Sequence, residues 1–458
     1  MTVKSVGHDE RADGPMATPA THRRPSRHGW QWWVVAGLLT VAAVATSVAL
    51  GGHRRHDPQL DVADEGAHYA YVMTLRAGHV PAWGDQLTPT DRELMDCLVV
   101  VPAPPVQCGG KPAPASSYAA GGYDYEAQQP PLGYLPFVLT ADPGAPPKAA
   151  ITDARHGGVI WVAVSGILLL LFAAVDGLSL LALAALLATC LLDPVFAYAA
   201  GTVNNDAAGV AAGAVALLAW SLARRRPRWG WWLGLIAGVL IGLTKGTFVV
   251  VPFALLIGAA VEEYQSLTSL RGIWEAVKRQ AAVVVMFGAS VVAFAGWTEV
   301  QRLRAGVPSS VVLHALLGYT YVGTLQPSTV SSGLSGVLSL FRPYYPYDAL
   351  NLVWDIAAFG ILIGILCLPL ARVDLSALRL RGLSAGVLVG LVALAIGWPL
   401  LVFVQGHYNF PANVRYAIPL LPVIGYLIVR GCRRFGLVAV GLVLPVGCAV
   451  LQLAIGKY

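Results

Sequence analysis

The chain has 458 residues, of which 56% are hydrophobic and only 12% are charged. A soluble protein of ordinary composition carries about 25% charged residues, and the mean hydropathy here is +0.63. These values exclude a soluble globular domain and predict an all-α polytopic membrane protein. The net charge of +6 does not predict nucleic-acid binding, because the basic residues cluster in short loops, where they orient membrane spans.

The apolar segments predict about 11 transmembrane helices. Residues 1–29 are polar and basic and are predicted to be a disordered cytoplasmic tail. The first helix, 30–51, begins with an interfacial aromatic belt of Trp30, Trp32 and Trp33. The other segments lie at 157–175, 177–192, 197–222, 229–244, 246–261, 280–298, 352–371, 383–404, 414–430 and 435–455.

The basic loops predict how these helices are oriented. The loops 224–228, 262–279, 372–382 and 431–434 hold most of the Lys and Arg of the membrane region, so they are expected in the cytoplasm. The protein is then a multi-pass protein of the plasma (inner) membrane with a cytoplasmic N terminus. Its exterior parts are a catalytic or acceptor loop at 52–156, a second loop at 299–351 and the turn 405–410, while the domains 157–298 and 352–458 are transmembrane.

Two of the six cysteines, Cys97 and Cys108, lie in the 52–156 loop. An oxidising exterior favours a disulfide between them over two free thiols.

Polar residues far apart in the sequence project to the exterior face of this topology. Each has an ordinary explanation on its own: Asp206 as a helix N-cap, Lys245 as a snorkelling lysine, Arg415 as a partner of lipid phosphate. Their one-sided clustering favours a site instead. The cluster consists of Asp64, Glu65, Asn204, Asn205, Asp206, Lys245, Arg342 and Arg415.

This set of side chains suits the chemistry of a phosphorylated substrate. Fixed cations at the headgroup level bind phosphate or diphosphate oxygens, and arginine does so bidentately. A nearby carboxylate can take a proton from an incoming hydroxyl. The predicted substrate is a lipid-linked phosphosugar whose phosphate meets Lys245 and Arg415.

Other motifs carry less information. The segment 123–134 has tandem prolines and several aromatics, which indicate either a sugar-binding surface or a rigid loop re-entering the membrane. Glu65 and His68 have a spacing that could hold a metal on one helical face, but without a second pair His68 is expected to make hydrogen bonds instead. The sequence contains no P-loop, no Gly-x-Ser-x-Gly elbow and no HExxH.

The order of these motifs resembles the GT-C superfamily of glycosyltransferases, which use polyprenyl-phosphate sugars. The chain looks most like its bacterial protein mannosyltransferase and aminoarabinose transferase branch, including members without an assigned substrate. The resemblance covers roughly residues 30–430. It rests on Asp64-Glu65, Gln129-Pro130-Pro131, Asn204-Asn205-Asp206, Gly242 to Lys245, and Arg415-Tyr416 with Pro419 and Pro422.

The resemblance implies an inverting transfer of a sugar from a polyprenyl-phosphate donor to a hydroxyl on a lipid, glycan or protein acceptor. It implies that Asp64 is the catalytic base and that Glu65 assists it or orients the acceptor. Lys245 and Arg415 would bind the donor phosphate, and Asp206 would shape the pocket or hold the acceptor. The remaining candidates for substrate binding are Asn205, Arg342, Tyr416, His68 and Gln129. No cofactor is indicated, and the need for a divalent cation stays open.

Two alternatives remain at this point. A transporter or flippase for a lipid-linked or anionic solute would place charges near the middle of the bilayer, where this sequence is nearly uniformly apolar. A transferase resembling O-antigen ligases, acting on a diphosphate-linked glycan, would depend on arginine and histidine in a late exterior loop, as His407 and Arg415 allow.

Overall fold

The protein is an all-α polytopic membrane protein. A computed structural model describes residues 28–57, 60, 64–98, 108–317, 323–340 and 376–432. Within these ranges no extended β-strand is formed, and one isolated antiparallel β-bridge joins Gln86 to Tyr123.

The segment predicted as the first exterior loop is largely helical. Short turns of 3-10 helix also lie in this segment, at Ala115–Ser117, Ala119–Gly122, Tyr125–Gln128 and Pro131–Tyr134. Its α-helices follow the first helix, α1 (Trp30–Leu50), and are α2 (Gly52–His56), α3 (Glu65–Arg76), α4 (Pro89–Leu98), α5 (Leu135–Thr140) and α6 (Pro147–Arg155).

The membrane region and the later segments are helical as well. The helices up to the second predicted loop are α7 (Gly157–Asp176), α8 (Leu180–Leu191), α9 (Pro194–Gly201), α10 (Gly209–Arg225), α11 (Gly230–Gly242), α12 (Val250–Glu262), α13 (Leu270–Arg279) and α14 (Ala281–Arg304). The later ones are α15 (Ser309–Leu317), α16 (Pro327–Leu338), α17 (Ser376–Val392), α18 (Trp398–Gly406) and α19 (Leu421–Cys432). One π-helical turn, Ala393–Gly397, joins α17 to α18.

Five helical stretches within the described residues are long and apolar enough to cross a membrane. A sixth is added if α8 and α9, bent by 58° at their junction, form one span. The predicted spans 352–371 and 435–455 lie outside the described residues, so the number 11 stays a prediction. The five are Trp30–Leu50, Pro147–Asp176, Asn205–Arg225, Ala281–Arg304 and Arg379–Gly406.

The boundaries of the predicted spans 177–192 and 197–222 were wrong, because residues 194–201 form a separate helix, α9, that follows α8 after a bend of 58°. The Asp193 side chain accepts a hydrogen bond from the Phe196 amide, and Pro194 fixes the first turn of α9. The backbone of Asn204 is extended, and its side chain accepts from the Asp206 amide. A new helix therefore starts at Asn205, inside the predicted span 197–222 and near its start.

Small residues let the membrane helices approach closely. On α11, Gly234, Gly238 and Gly242 are spaced four residues apart and lie against the backbone of α14. A Cβ at any of the three would stand 2.3–2.4 Å from a carbonyl oxygen of α14. This is the small-xxx-small packing used between helices in lipid, where backbone proximity replaces the hydrophobic effect.

The residues between α1 and α7 fold over one end of the bundle and are held there by polar contacts. Cys97 and Cys108 form a disulfide, which joins the end of α4 to the following segment. The Asp96 carboxylate accepts from the Tyr118 hydroxyl at 2.7 Å and from the Ala113 amide at 3.0 Å. At the same end, three 3-10 turns meet in space: Asn205–Ala208, Gly246–Val249 and Val414–Leu420.

Candidate active site

The two carboxylates of Asp64 and Glu65 point to different environments. Glu65 is 2% exposed and receives two hydrogen bonds from Arg155, at 2.7 and 2.6 Å. It also accepts from the Val203 amide at 2.8 Å. Glu65 does not line the cavity described below. It anchors the start of α3, and the structure thereby departs from the expectation that Glu65 assists Asp64 at the substrate.

Arg155 extends this anchor. It is 1% exposed, and besides Glu65 it donates to the backbone carbonyl oxygens of Arg54, at 2.7 Å, and of Asp57. One guanidinium therefore joins α2, α3 and α6 and holds the N-terminal end of α3 in place. Because Asp64 is the residue immediately before α3, its position depends on this buried pair.

Asp64 reaches into the site and meets Arg415. Its Oδ2 accepts from the Arg415 guanidinium, and its Oδ1 lies 3.4 Å from the Tyr125 hydroxyl. The Asp64 side chain is 31% exposed, whereas that of Arg415 is 4% exposed. Arg415 is positioned by the turn Val414–Leu420, in which the Arg415 amide donates to the side chain of Asn413.

The cations Lys245 and Arg415 both lie next to the carboxylate of Asp206. The Lys245 ammonium donates to Asp206 at 2.7 Å and to Asn205 at 2.8 Å, and it lies 5.4 Å from the centroid of the Tyr416 ring. Arg415 Nε is 3.8 Å from the other oxygen of Asp206. Lys245 is 6% exposed, so it does not snorkel. Asp206 is fully buried and does not line the cavity, so it positions the two cations rather than a substrate.

A second buried carboxylate, Glu126, lies in the same region. The turn Tyr125–Gln128 carries it, and the Asp124 side chain caps that turn. The Tyr134 hydroxyl donates to Glu126 Oε2 at 3.0 Å, and His68 Nδ1 lies 2.7 Å from the Tyr134 oxygen and 3.3 Å from Glu126 Oε2.

Burial is the main cause of the shifted pKa values of Glu126 and His68. It raises the pKa of Glu126 to about 7, with the Asp64 charge adding to the effect. Burial also lowers the pKa of His68 well below its ordinary value, and the charges of Lys245 and Arg415 act in the same direction. His68 is therefore a neutral imidazole near pH 7, and Glu126 is poised to gain or lose a proton there.

A cavity of about 420 Å³ lies among these side chains, a size typical of small-molecule sites. Of the predicted candidates, Asp64, His68, Gln129, Lys245, Arg415 and Tyr416 lie in its wall. Its other lining is mainly aromatic and aliphatic, and includes Phe294, Leu313, Leu316, Trp398, Val402 and Phe410. The cavity therefore has a charged part and an apolar part next to each other.

Two other residues were predicted from the sequence, Arg342 and His407. Arg342 is outside the described residues. His407 ends α18 with a left-handed backbone (φ 57°), and its ring packs edge-on against Phe403, with the centroids 5.2 Å apart. His407 does not line the cavity.

A metal pair of Glu65 and His68 is not formed, because the two side chains are held by different partners, Arg155 and Tyr134. Among the described residues, no group of three or more His, Cys, Asp or Glu side chains is gathered for a metal ion.

Comparisons with known proteins give one remote structural similarity. No family model and no curated protein sequence matches the chain. Among solved structures, the chain is similar to the Archaeoglobus fulgidus oligosaccharyltransferase, whose crystal structure is a complex with Zn and sulfate. The identity is 15% and the TM-score 0.42, over 90% of this chain and 51% of that one. The chain thus spans about half the length of that protein.

Proposed function

We propose that the protein is an inverting membrane glycosyltransferase of the GT-C type. In this proposal it moves a sugar from a polyprenyl-phosphate donor to a hydroxyl acceptor at the exterior face of the plasma membrane. The observation that carries the proposal is the contact between Asp64 and Arg415, 351 residues apart in sequence, inside a cavity that also contains Lys245. A carboxylate and two cations in the wall of a cavity that is also lined by apolar side chains fit a sugar, its phosphate and a lipid tail.

The two cations are the proposed phosphate site. Arginine binds phosphate oxygens in a planar fork, and lysine adds a point charge. Asp206 and Asn205 hold Lys245 in position, and Asp206 also lies behind Arg415. Cations fixed in this way need no rearrangement to stabilise the negative charge that grows on a leaving phosphate.

Asp64 is the proposed catalytic carboxylate. In the absence of donor, the Asp64 carboxylate accepts a hydrogen bond from Arg415, and a bound phosphate competes for the same guanidinium. The Asp64 carboxylate is then released beside the anomeric carbon, where its charge stabilises the positive charge that develops as the phosphate leaves. Aromatic rings near it, Tyr416 and Trp398, provide faces on which a sugar can pack.

The apolar part of the cavity is the proposed place for the first isoprene units. Phe294, Leu316 and Val402 belong to α14, α15 and α18, which would bring a lipid chain from between the helices to the phosphate site. The acceptor would enter from the side of the folded segment that precedes α7. The placement of His407 outside the cavity argues against the alternative that resembles O-antigen ligases.

The experiment is a donor panel. The protein is reconstituted in vesicles with polyprenyl-phosphate sugars that differ in the sugar, and released polyprenyl phosphate is measured with and without added acceptors. Release that requires the protein and depends on the sugar supports the proposal. If no donor in the panel is cleaved or bound, the proposal is wrong. A transporter would instead move the intact donor across the bilayer without releasing polyprenyl phosphate.

A further inference from the structure

Glu126 is a carboxylate in the cavity wall that has no place in the sequence-based assignment. It is 7% exposed and lines the cavity together with Asp64, His68 and Lys245. Within the described residues no arginine or lysine forms an ion pair with it. A buried carboxylate without a cationic partner is costly when ionised, so its presence in a cavity wall calls for a function.

The hydrogen bonds around Glu126 have a definite direction. The Tyr134 hydroxyl donates to Glu126 Oε2, so its oxygen must accept from His68 Nδ1, 2.7 Å away. This requires the tautomer of neutral His68 that carries hydrogen on Nδ1. Two donors in series thus support Oε2, while Oε1 makes no hydrogen bond to another described residue.

The environments of Asp64 and Glu126 differ, and the difference suits two separate catalytic roles. Asp64 Oδ2 is occupied by the Arg415 guanidinium in the resting site. Glu126 has no such partner, and burial with the nearby Asp64 charge raises its pKa to about 7. Two carboxylates whose environments differ in this manner divide the work of proton transfer and charge stabilisation in other enzymes. A general base is most effective when its pKa lies near the working pH.

We propose that Glu126 accepts the proton of the acceptor hydroxyl during glycosyl transfer, and that His68 and Tyr134 position it. This inference rests on the proposed function. The acceptor oxygen forms a bond to the anomeric carbon as its proton passes to Glu126 Oε1. The bond between the anomeric carbon and the phosphate oxygen breaks, and its electron pair leaves with polyprenyl phosphate. Asp64 stays ionised and faces the positive charge on the sugar, and Glu126 returns its proton to water after product release.

The dependence of turnover on pH distinguishes Glu126 from Asp64. The assay measures kcat/KM for the acceptor from the release of polyprenyl phosphate. For the wild type, this value should rise with pH and level off above about pH 7, because the base must be ionised. Glu126→Gln should lower the rate by at least about 100-fold and abolish the rise. Asp64→Asn should also lower the rate but keep the rise.

Other titratable groups near Glu126 require controls. His68 is neutral throughout this range, and Asp124→Asn removes a neighbouring carboxyl that does not line the cavity while retaining a good helix cap. His314→Gln removes an imidazole on α15, a helix that contacts the Glu126 turn. Both controls should keep the rise. The charged and titratable groups on the surrounding elements include Asp64, Glu65, His68, Tyr71, Asp124, Tyr125, Tyr134, Asp206, Lys245, Glu299, Arg302, Arg304, His314, Arg415 and Tyr416.

The inference is overturned if Glu126→Gln keeps the pH-dependent rise, or if only Asp64→Asn loses it. If the glutamine variant does not fold, Glu126→Asp decides, since withdrawing the carboxylate by one methylene should lower the rate by about tenfold or more. An unchanged rate of this variant contradicts the assignment. A wild type that cleaves no donor overturns the proposed function as well. An active wild type with an unaffected Glu126→Gln variant overturns this inference alone.

Discussion

Replacing Arg155 by methionine should lower the free energy of unfolding by about 3–5 kcal/mol, the usual cost of removing one partner of a buried ion pair. The structure favours this range because Arg155 and Glu65 side chains are each 1% exposed. Removal of the guanidinium takes two charged hydrogen bonds from the Glu65 carboxylate, which keeps the bond from the Val203 amide, and it also removes this donor from the carbonyl oxygens of Arg54 and Asp57. The assay is chemical unfolding of the purified protein in detergent micelles.

A double-variant cycle separates the ion pair from general damage. Glu65→Gln and Arg155→Met alone should each destabilise, while the two together should cost clearly less than the sum, because no uncompensated charge stays buried. Arg279→Met removes an exposed arginine that pairs with Glu263 and serves as the matched control, with an expected cost of no more than about 1 kcal/mol. A loss below about 1 kcal/mol for Arg155→Met would refute the assignment of this pair as the anchor of α3.

Three further predictions concern the cavity and the folded segment around it. Lys245→Ala and Arg415→Ala should each lower kcat/KM for the donor by about 10- to 100-fold, the value of a charge-assisted hydrogen bond, whereas a change in acceptor KM alone would contradict a phosphate site. Cys97→Ser should lower the free energy of unfolding by up to about 3 kcal/mol. Reductant should lower the unfolding midpoint of the wild type and leave that of this variant unchanged. Since the pKa of Glu126 is raised from 4.5 to about 7 in the folded state, wild-type stability should fall as pH rises from about 5 to 8, and Glu126→Gln should flatten this fall in the melting temperature.

The sequence predicted the membrane architecture and part of the site for physical reasons that operate locally. Runs of apolar residues of sufficient length identify spans without knowledge of their neighbours. The polar residues were grouped by the side of the membrane on which the topology placed them. Asp64, Lys245 and Arg415 do line one cavity, although they are separated by up to 351 residues.

The missed residues depend on tertiary packing. Arg155 and Glu65 are 90 residues apart, and no local pattern marks either as a partner of the other. Glu126 stands among aromatics before two prolines, where it looks like an ordinary loop acid. A signal was present in Asp124, since an aspartate two residues before a glutamate amide favours the capped turn that turns Glu126 inward. Hydropathy grouped residues 197–203 with the span that follows, because it does not show the helix break at the Asn204 cap.

The most direct test of the central claim is the single-turnover release of polyprenyl phosphate by the reconstituted protein and its Asp64→Asn variant. The substitution keeps the size of the side chain and removes the charge that pairs with Arg415. The expected result is a rate at least about 100-fold lower than the wild type, the usual loss when one electrostatic stabiliser of the transition state is removed, with donor binding retained. Equal rates for the two proteins would contradict a catalytic carboxylate at this position.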